Sequence, residues 1–519
     1  MNVRRVLVKP REYSDSVRLM RISEKLRGLS GVGEAILMMA TDNNKRLLES
    51  AGLLLAEARS ASANDLVIAI RAEADEAAEA AVRQAESLLK ERVAKDTTHT
   101  FRTFDSALEA LPEANLALIS VPGKYAAAEA RRALERGLHV MLFSDNVSLD
   151  DEIALKRLGR EKGLLVLGPD CGTAVINGAA LGFANVVRSG PVGILGASGT
   201  GIQEICVLVD RMGSGISHAI GTGGRDLSLA VGASTMLRCI DLLEADEKTR
   251  VIVVTSKPPD SRVATRVLER LACCRKPVVV NFLGGDPAGV AGTPMHWAST
   301  LEEAANAAVR LETGKGRGTS SGAVDPAALT GQAEQEVAQM APKQKYLRGL
   351  FSGGTLGYEA LLVLRDTLGD IHSNIPLRHD LRLPDSWTSV GHTLVDLGED
   401  EYTQGRAHPM IDPTLRLHRL LDEAALPEVA VILLDVVLGL GTHPDPAHGL
   451  ADTVRRARAT AHAEGRYLSV VTAVCGTEQD PQGLARQEET LRAAGAIVLP
   501  TNAQASRLAG LIAQRACAA

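Results

Sequence analysis

Aromatic residues are scarce in this chain, making up 3% of its 519 positions. Few rings mean few platforms on which bases can stack, which argues against a single-strand nucleic-acid binder. A basic excess is missing too. The net charge is −6, with acids and bases interspersed, so no phosphate-backbone partner is expected. The seven cysteines (171, 206, 239, 273, 274, 475 and 517) contain no CxxC pair. An odd, irregular set reads as reduced thiols, not as a disulfide framework or a zinc site, and no metal is expected. No run reaches the ~20 apolar residues of a membrane helix. The opening MNVRRVLVKPREY has no apolar signal core. A cytoplasmic protein with neither a membrane nor a nucleic-acid partner is expected.

Hydrophobic residues make up an ordinary 45%, and a chain this long predicts about three or four domains of ~150 residues each. The segment 1–95 alternates strand and helix in the order β-α-β-α-β-α, a small α/β unit of ferredoxin-like character. In 96–188 the apolar strands Leu116–Val121, Val140–Phe143 and Leu164–Gly168 alternate with amphipathic helices, as in a parallel, doubly wound sheet. The same pattern recurs in 189–312, with strands Val192–Leu195, Ser217–Gly221, Val251–Thr255 and Pro277–Phe282, and again in 346–519. Both of these units read as flavodoxin-like. The stretch 313–345, rich in Gly, Ser, Ala and Pro, reads as a partly flexible linker.

The sharpest local signal is a strand running into Gly196-Ala197-Ser198-Gly199-Thr200-Gly201, followed at once by a helix. Small residues let an anion approach the backbone closely, and the open N–H groups and dipole of a helix start favour negative charge. Ser352-Gly353-Gly354-Thr355 repeats the design in the last unit. Ala197, Ser198, Gly199, Thr200, Ser352, Gly353, Gly354 and Thr355 are therefore candidate phosphate ligands, the two loops facing each other across one phosphate. A single loop of this kind is equally well a tight βα turn with a Ser/Thr N-cap. Glu204 and Glu359 each follow their loop's threonine by four residues. There they either orient loop and ligand or only stabilise the helix dipole.

Between the loops, Thr222-Gly223-Gly224-Arg225-Asp226 closes a strand. Ligands of open α/β sheets bind outside the carboxyl ends of strands. Arg225 is a candidate for gripping a carboxylate or phosphate there, with Asp226 in support; the other reading is a capping arginine. Arg406, His408 and Asp412 crowd one polar loop before a helix. His408 is a candidate acid/base, or a hydrogen-bonded loop histidine.

The segments MMATDNNKRLL, HVMLFSDNVSLDDEIALK, GLLVLGPDCGT, GASGTGIQE, GGRDLS, SKPP, GRAHPMIDPTLR and VCGTEQDPQ together resemble the FdrA family, relatives of succinyl-CoA synthetase. The resemblance runs through most of the chain. It implies a coenzyme-A-binding-like Rossmann unit at 96–188 and two ligase units at 189–312 and 346–519. There are two departures from the synthetases. His296 lies outside the context of their phosphorylated histidine, and the glycine-rich coenzyme loop expected at the N-terminus is absent. A phosphohistidine relay is therefore not expected, coenzyme A is in doubt, and no other cofactor is expected.

What the family resemblance implies is a component of an oxamate carbamoyltransferase, interconverting carbamoyl phosphate plus oxamate with oxalurate plus phosphate in allantoin and purine nitrogen breakdown. It further implies companion subunits in a hetero-oligomer, with self-association possible. In that reading the loops hold the phosphate, Arg225 or Arg406 holds the oxamate carboxylate, and His408 assists proton transfer. The alternatives are a succinyl-CoA synthetase-like acyl-CoA ligase and a non-catalytic scaffold subunit.

Overall fold

The computed structural model describes residues 3–91, 101–314, 324–404 and 406–518. The chain divides into two units. One comprises Met1–Pro112 with Leu397–Asp422, the other Glu113–Asp396 with Glu423–Ala519.

The first unit is built on strand Leu66–Ala72, which pairs antiparallel with Val3–Lys9 on one side and Val32–Met39 on the other. The two outer strands are therefore parallel and joined through helix Ser16–Arg27, a split βαβ arrangement. The central strand LVIAIRA reads as an unbroken apolar run because both of its faces are covered. Leu66, Ile68 and Ile70 meet helices Ser16–Arg27 and Asp75–Lys90 on one side. Val67 and Ala69 meet Leu48, Leu53 and Ala58 on the other. Period-two alternation thus divides one strand between two cores. The strap Leu397–Asp422 belongs to this unit through Asn43 Nδ2 to the Glu401 carbonyl (2.5 Å) and Ser50 Oγ to Asp422 Oδ2 (2.6 Å). Nothing in its sequence marks a strap drawn from the last ligase unit, since its contacts are hundreds of residues away.

Among the described residues the second unit contains three sheets. Leu116–Ile119, His139–Leu142 and Val166–Leu167 form a parallel three-stranded sheet. The next sheet has seven strands. Its central strand Ser189–Ala197 lies between Ile216–Gly221 and Val251–Ser256, all parallel. The hairpin Thr173–Ile176/Ala179–Gly182 adds antiparallel to this sheet's edge, across the expected boundary at 188. Asn177 and Gly178 form its turn at φ 50° and 80°, an Asn-Gly signal legible in the sequence. The third sheet is six-stranded, with Tyr346–Phe351 between Thr393–Asp396 and Val429–Val437.

In both larger sheets a glycine loop leaves the carboxyl end of an interior strand where the strand order reverses, the usual ligand position in open α/β sheets. Part of the expected linker is ordered. Pro326–Val337 is a helix capped by Asp325, which accepts from Ala327 N at 3.0 Å, and it buries Leu329 and Ala333. The flexible reading of 315–323 lies outside the described residues.

Candidate functional site

Helix Gly199–Arg211 starts with Ser198, whose Oγ accepts from Gly201 N at 3.1 Å. The same hydroxyl donates to Thr355 Oγ1, in the first turn of helix Gly354–Leu368, at 2.7 Å. The two loops, 157 residues apart in sequence, thus abut through buried hydroxyls. Their glycines make the approach possible. A Cβ on Gly201 would meet the Thr355 methyl at 3.0 Å, and one on Gly353 would meet the Thr200 methyl at 2.9 Å. Ala197 ends the strand that leads in, paired with Ser256.

The second loop differs from expectation. Asp435, from strand Val429–Val437, places its carboxylate on the amides of Ser352 (2.9 Å) and Gly353 (2.8 Å), and Ser352 Oγ donates to it at 3.1 Å. The protein therefore brings its own anion to part of this cradle, and a phosphate on those two amides would meet a buried carboxylate. At Gly354 the backbone lies against Lys257 and Asp396: a Cβ there would collide with Asp396 Oδ2 and stand 3.3 Å from Lys257 Nζ. Sequence reasoning missed Lys257 and Asp435. Each lies on or just after a strand of its sheet, Asp435 within Val429–Val437 and Lys257 after Val251–Ser256. Such positions signal a site only once the partner sheet is known.

Glu204 and Glu359 do more than oppose a dipole. Glu359, on the Gly354 helix, accepts from Leu301 N (2.6 Å), the first residue of a helix packed on the other sheet. Glu204, on the Gly199 helix, accepts from Asn502 N (3.3 Å), at the start of the closing helix of the third sheet. Each glutamate caps a helix of the opposite sheet, and Asn502 Nδ2 also donates to Glu359 Oε2 at 2.8 Å. Burial pushes both carboxyls up, Glu359 to about 7, and the neighbouring acids add like-charge repulsion.

Arg225 is committed elsewhere. Its Nε donates to Glu152 Oε2 at 2.9 Å and its Nη2 to the Val147 carbonyl at 2.7 Å. Glu152 in turn pairs with buried Lys156 (3.2 Å), which holds Asp226 at 2.7 Å. Asp226 also accepts from Thr235 N and Met236 N, capping helix Ser234–Ala245. This chain of charges ties the three-stranded sheet's helix Leu149–Lys162 to the seven-stranded sheet, and Arg225 is part of it.

Arg406, His408 and Asp412 lie in the first unit. Arg406 donates from Nε (3.1 Å) and Nη2 (2.8 Å) to Asn44 Oδ1. His408 Nδ1 accepts from Met410 N at 3.2 Å, and burial pushes its pKa down to about 4, so it stands as a neutral imidazole and not as a proton donor near pH 7. Asp412 Oδ1 accepts from Thr414 N at 3.0 Å. Among the described residues no helix is long and apolar enough to cross a membrane.

Comparison with known proteins puts the CoA binding match over the unit expected as the first ligase unit and not over 96–188. Residues 350–512 match a family described as CoA-ligase, 187–284 match a CoA binding domain, and 1–103 match an AllF heavy metal-associated domain. YahF of Escherichia coli K12 is 46% identical over 508 residues, covering 97% of this chain and 98% of its own length. The succinate–CoA ligase [ADP-forming] subunit alpha 2 of Archaeoglobus fulgidus is 29% identical over 189 residues, 35% of this chain and 63% of that subunit. An acetyl-coenzyme A synthetase of Ca. Korarchaeum cryptofilum aligns over 78% of this chain and 84% of its own, at 17% identity and a TM-score of 0.31. The fold is shown by the sheets and the matched domains. With the matched domains and a relative along nearly its whole length, the chain belongs to the FdrA-like, succinyl-CoA synthetase-like family.

Proposed function

We propose that the protein is the acyl-phosphate-handling subunit of a carbamoyltransferase that interconverts carbamoyl phosphate plus oxamate with oxalurate plus phosphate. The observation that supports this is the meeting of the two helix starts through Ser198 and Thr355, with Lys257 beside Gly354. An acyl phosphate there would meet a helix start and a lysine ammonium, which offset the charge that grows on the phosphate as the C–O bond breaks. The phosphate would lie on the side of the Gly199 helix and Lys257, because Asp435 holds the Ser352 and Gly353 amides. The amide nitrogen of oxamate attacks the carbamoyl carbon, the C–O bond to phosphate breaks, and the nitrogen's proton leaves to solvent or phosphate. Of the two arginines considered for the oxamate carboxylate, Arg225 is paired with Glu152 and Arg406 belongs to the other unit.

The test is carbamoyl transfer by the full chain together with its companion subunits, comparing wild type with Lys257→Ala. Loss of about a hundredfold in phosphate-dependent turnover, in protein that remains folded, is expected for one charge-stabilising group. Equal turnover refutes the placement. The CoA-ligase and CoA-binding matches favour a second reading, an acyl-CoA ligase. Coenzyme-A-dependent ADP formation, with no carbamoyl transfer, would select it.

A further inference from the structure

Residues 1–103 match a domain described as heavy metal-associated. The thiolate donors that hold soft metals are missing from this segment, which contains no cysteine. What the first unit does present is the edge of a sheet. In the order Val3–Lys9, Leu66–Ala72, Val32–Met39, the two outer strands each have one side that no strand covers among the described residues.

The two edges are finished differently. On Val32–Met39 the outward backbone groups are taken by side chains. Leu37 N donates to Ser23 Oγ at 2.9 Å, Ala35 N to Glu34 Oε1 at 3.3 Å, and the Met39 carbonyl accepts from Asn44 Nδ2 at 2.7 Å. The alternate residues Glu34, Ile36 and Met38 therefore bond inward, to Arg71, Ala69 and Val67. A central strand turns alternate residues to its two neighbours, so Leu66, Ile68, Ile70 and Ala72 bond to Lys9, Leu7, Arg5 and Val3. What remains, the N–H and C=O groups of Arg4, Val6 and Val8, points out of the sheet. Among the described residues no side chain or loop backbone is bonded to them. Arg4 is exposed, and Val6 and Val8 are half-buried.

An open edge of 7 residues is a template for another strand. The free groups are symmetric, with Arg4 and Val8 equally far on either side of Val6. When a second copy lies antiparallel about a two-fold axis at Val6, Val6 faces Val6 and Arg4 faces Val8 in both directions. All the outward residues then form hydrogen-bonded pairs, about six backbone bonds in all. The charges suit the same register. Arg4 comes opposite Val8, Arg5 opposite Leu7 and Lys9 opposite Val3, so no like charges face each other. Arg5 is already paired with Asp75 (3.0 Å) and Lys9 with Glu86 (2.8 Å), both on their own helix Asp75–Lys90. Val3 and Leu7 pack on one core and Val6 on the other, with Val8 beside it, so pairing carries both apolar faces across the axis.

We propose that the first unit is a self-association module in which two copies of the chain join antiparallel through Val3–Lys9, fusing their three-stranded sheets across a two-fold axis. The inference goes beyond the reaction proposed above and does not rest on it.

The experiment is sedimentation equilibrium of the full chain, comparing wild type with Val6→Pro. Proline removes the outward N–H at the axis and spares the ladder to the central strand, to which Val6 does not bond. Wild type should sediment at twice 54.8 kDa or an even multiple of it. Val6→Pro should associate at least about tenfold more weakly, for the hydrogen bonds lost at the axis. In case that variant does not fold, Val6→Cys and Arg4→Cys are each oxidised with glutathione disulfide, in a chain whose exposed thiols are removed by Cys273→Ser and Cys517→Ser. Residues paired on the axis lie about 5.5 Å apart at Cα, within disulfide reach, so Val6→Cys should give a covalent dimer. Arg4→Cys, about 14 Å from its own counterpart, should not.

A monomeric wild type overturns the proposal, as does unchanged association of soluble Val6→Pro, or cross-linking no stronger at Val6→Cys than at Arg4→Cys. A chain that stays monomeric but loses a companion subunit on Val6→Pro substitution also overturns it, and gives the edge to that subunit.

Discussion

Replacing Glu359 by glutamine should invert the protein's relative stability between acid and neutral pH. Burial, with Glu204 and Glu302 as like charges, raises the Glu359 carboxyl from 4.5 to about 7. Below pH 4.5 the group carries its proton in the folded and unfolded chains alike and contributes no pH dependence. Between 4.5 and about 7 the folded chain still holds the proton while the unfolded chain has lost it. Stability therefore falls as pH rises through that window, by about 1.4 kcal/mol per pH unit and on the order of 3 kcal/mol in all.

Glutamine cannot ionise, so this slope disappears. Its amide still accepts from Leu301 N on one side, but it sets a donor against Asn502 Nδ2 on the other, a mismatch of about 1 kcal/mol. The variant should be slightly less stable than wild type at acid pH and more stable above neutrality, and losing the Glu359 charge also relieves Glu204. Melting curves of both full-length proteins across that range should cross, with a swing on the order of 5 °C. A constant offset between the curves would show that the carboxyl titrates normally, and the buried-acid account of the helix junction would fail.

Lys156→Ala should cost about 3–5 kcal/mol, since it strands Glu152 and Asp226 as buried carboxylates. Arg225→Ala, whose side chain is half exposed, should cost about 1 kcal/mol or less, and denaturant melts of the pair would separate core from rim. Gly223→Ala should be severely destabilising: φ is +93°, and a Cβ would stand 2.5 Å from the Pro169 carbonyl oxygen, so loss of soluble protein on expression is the readout. His408, held near 4 by burial, should show no imidazole titration by NMR between pH 5.5 and 8. Its contribution to stability is present above the ordinary histidine pKa of 6.5 and is lost as pH falls toward 4, opposite in sign to Glu359. A resonance shift centred near 6.5 would overturn that assignment.

What the sequence by itself determined was local or periodic. Apolar strands between amphipathic helices announced parallel sheets, and two small-residue loops before helices announced paired anion-type turns. The glutamate four residues beyond each loop's threonine was visible as a repeat. All of these depend on neighbours within one turn or one strand, which is the range over which side-chain periodicity and capping act.

The tertiary structure decided the partners. Asp435 fills amides 83 residues away in sequence. Glu152 takes the arginine that stood ready for a ligand, and each junction glutamate caps a helix of the other sheet. Asn44 meets Arg406 across 362 residues, leaving one buried donor of that guanidinium unused. Whether a charge serves a ligand or the fold depends on which opposite charge or carbonyl the folded chain brings within hydrogen-bond reach, and sequence spacing does not encode that distance.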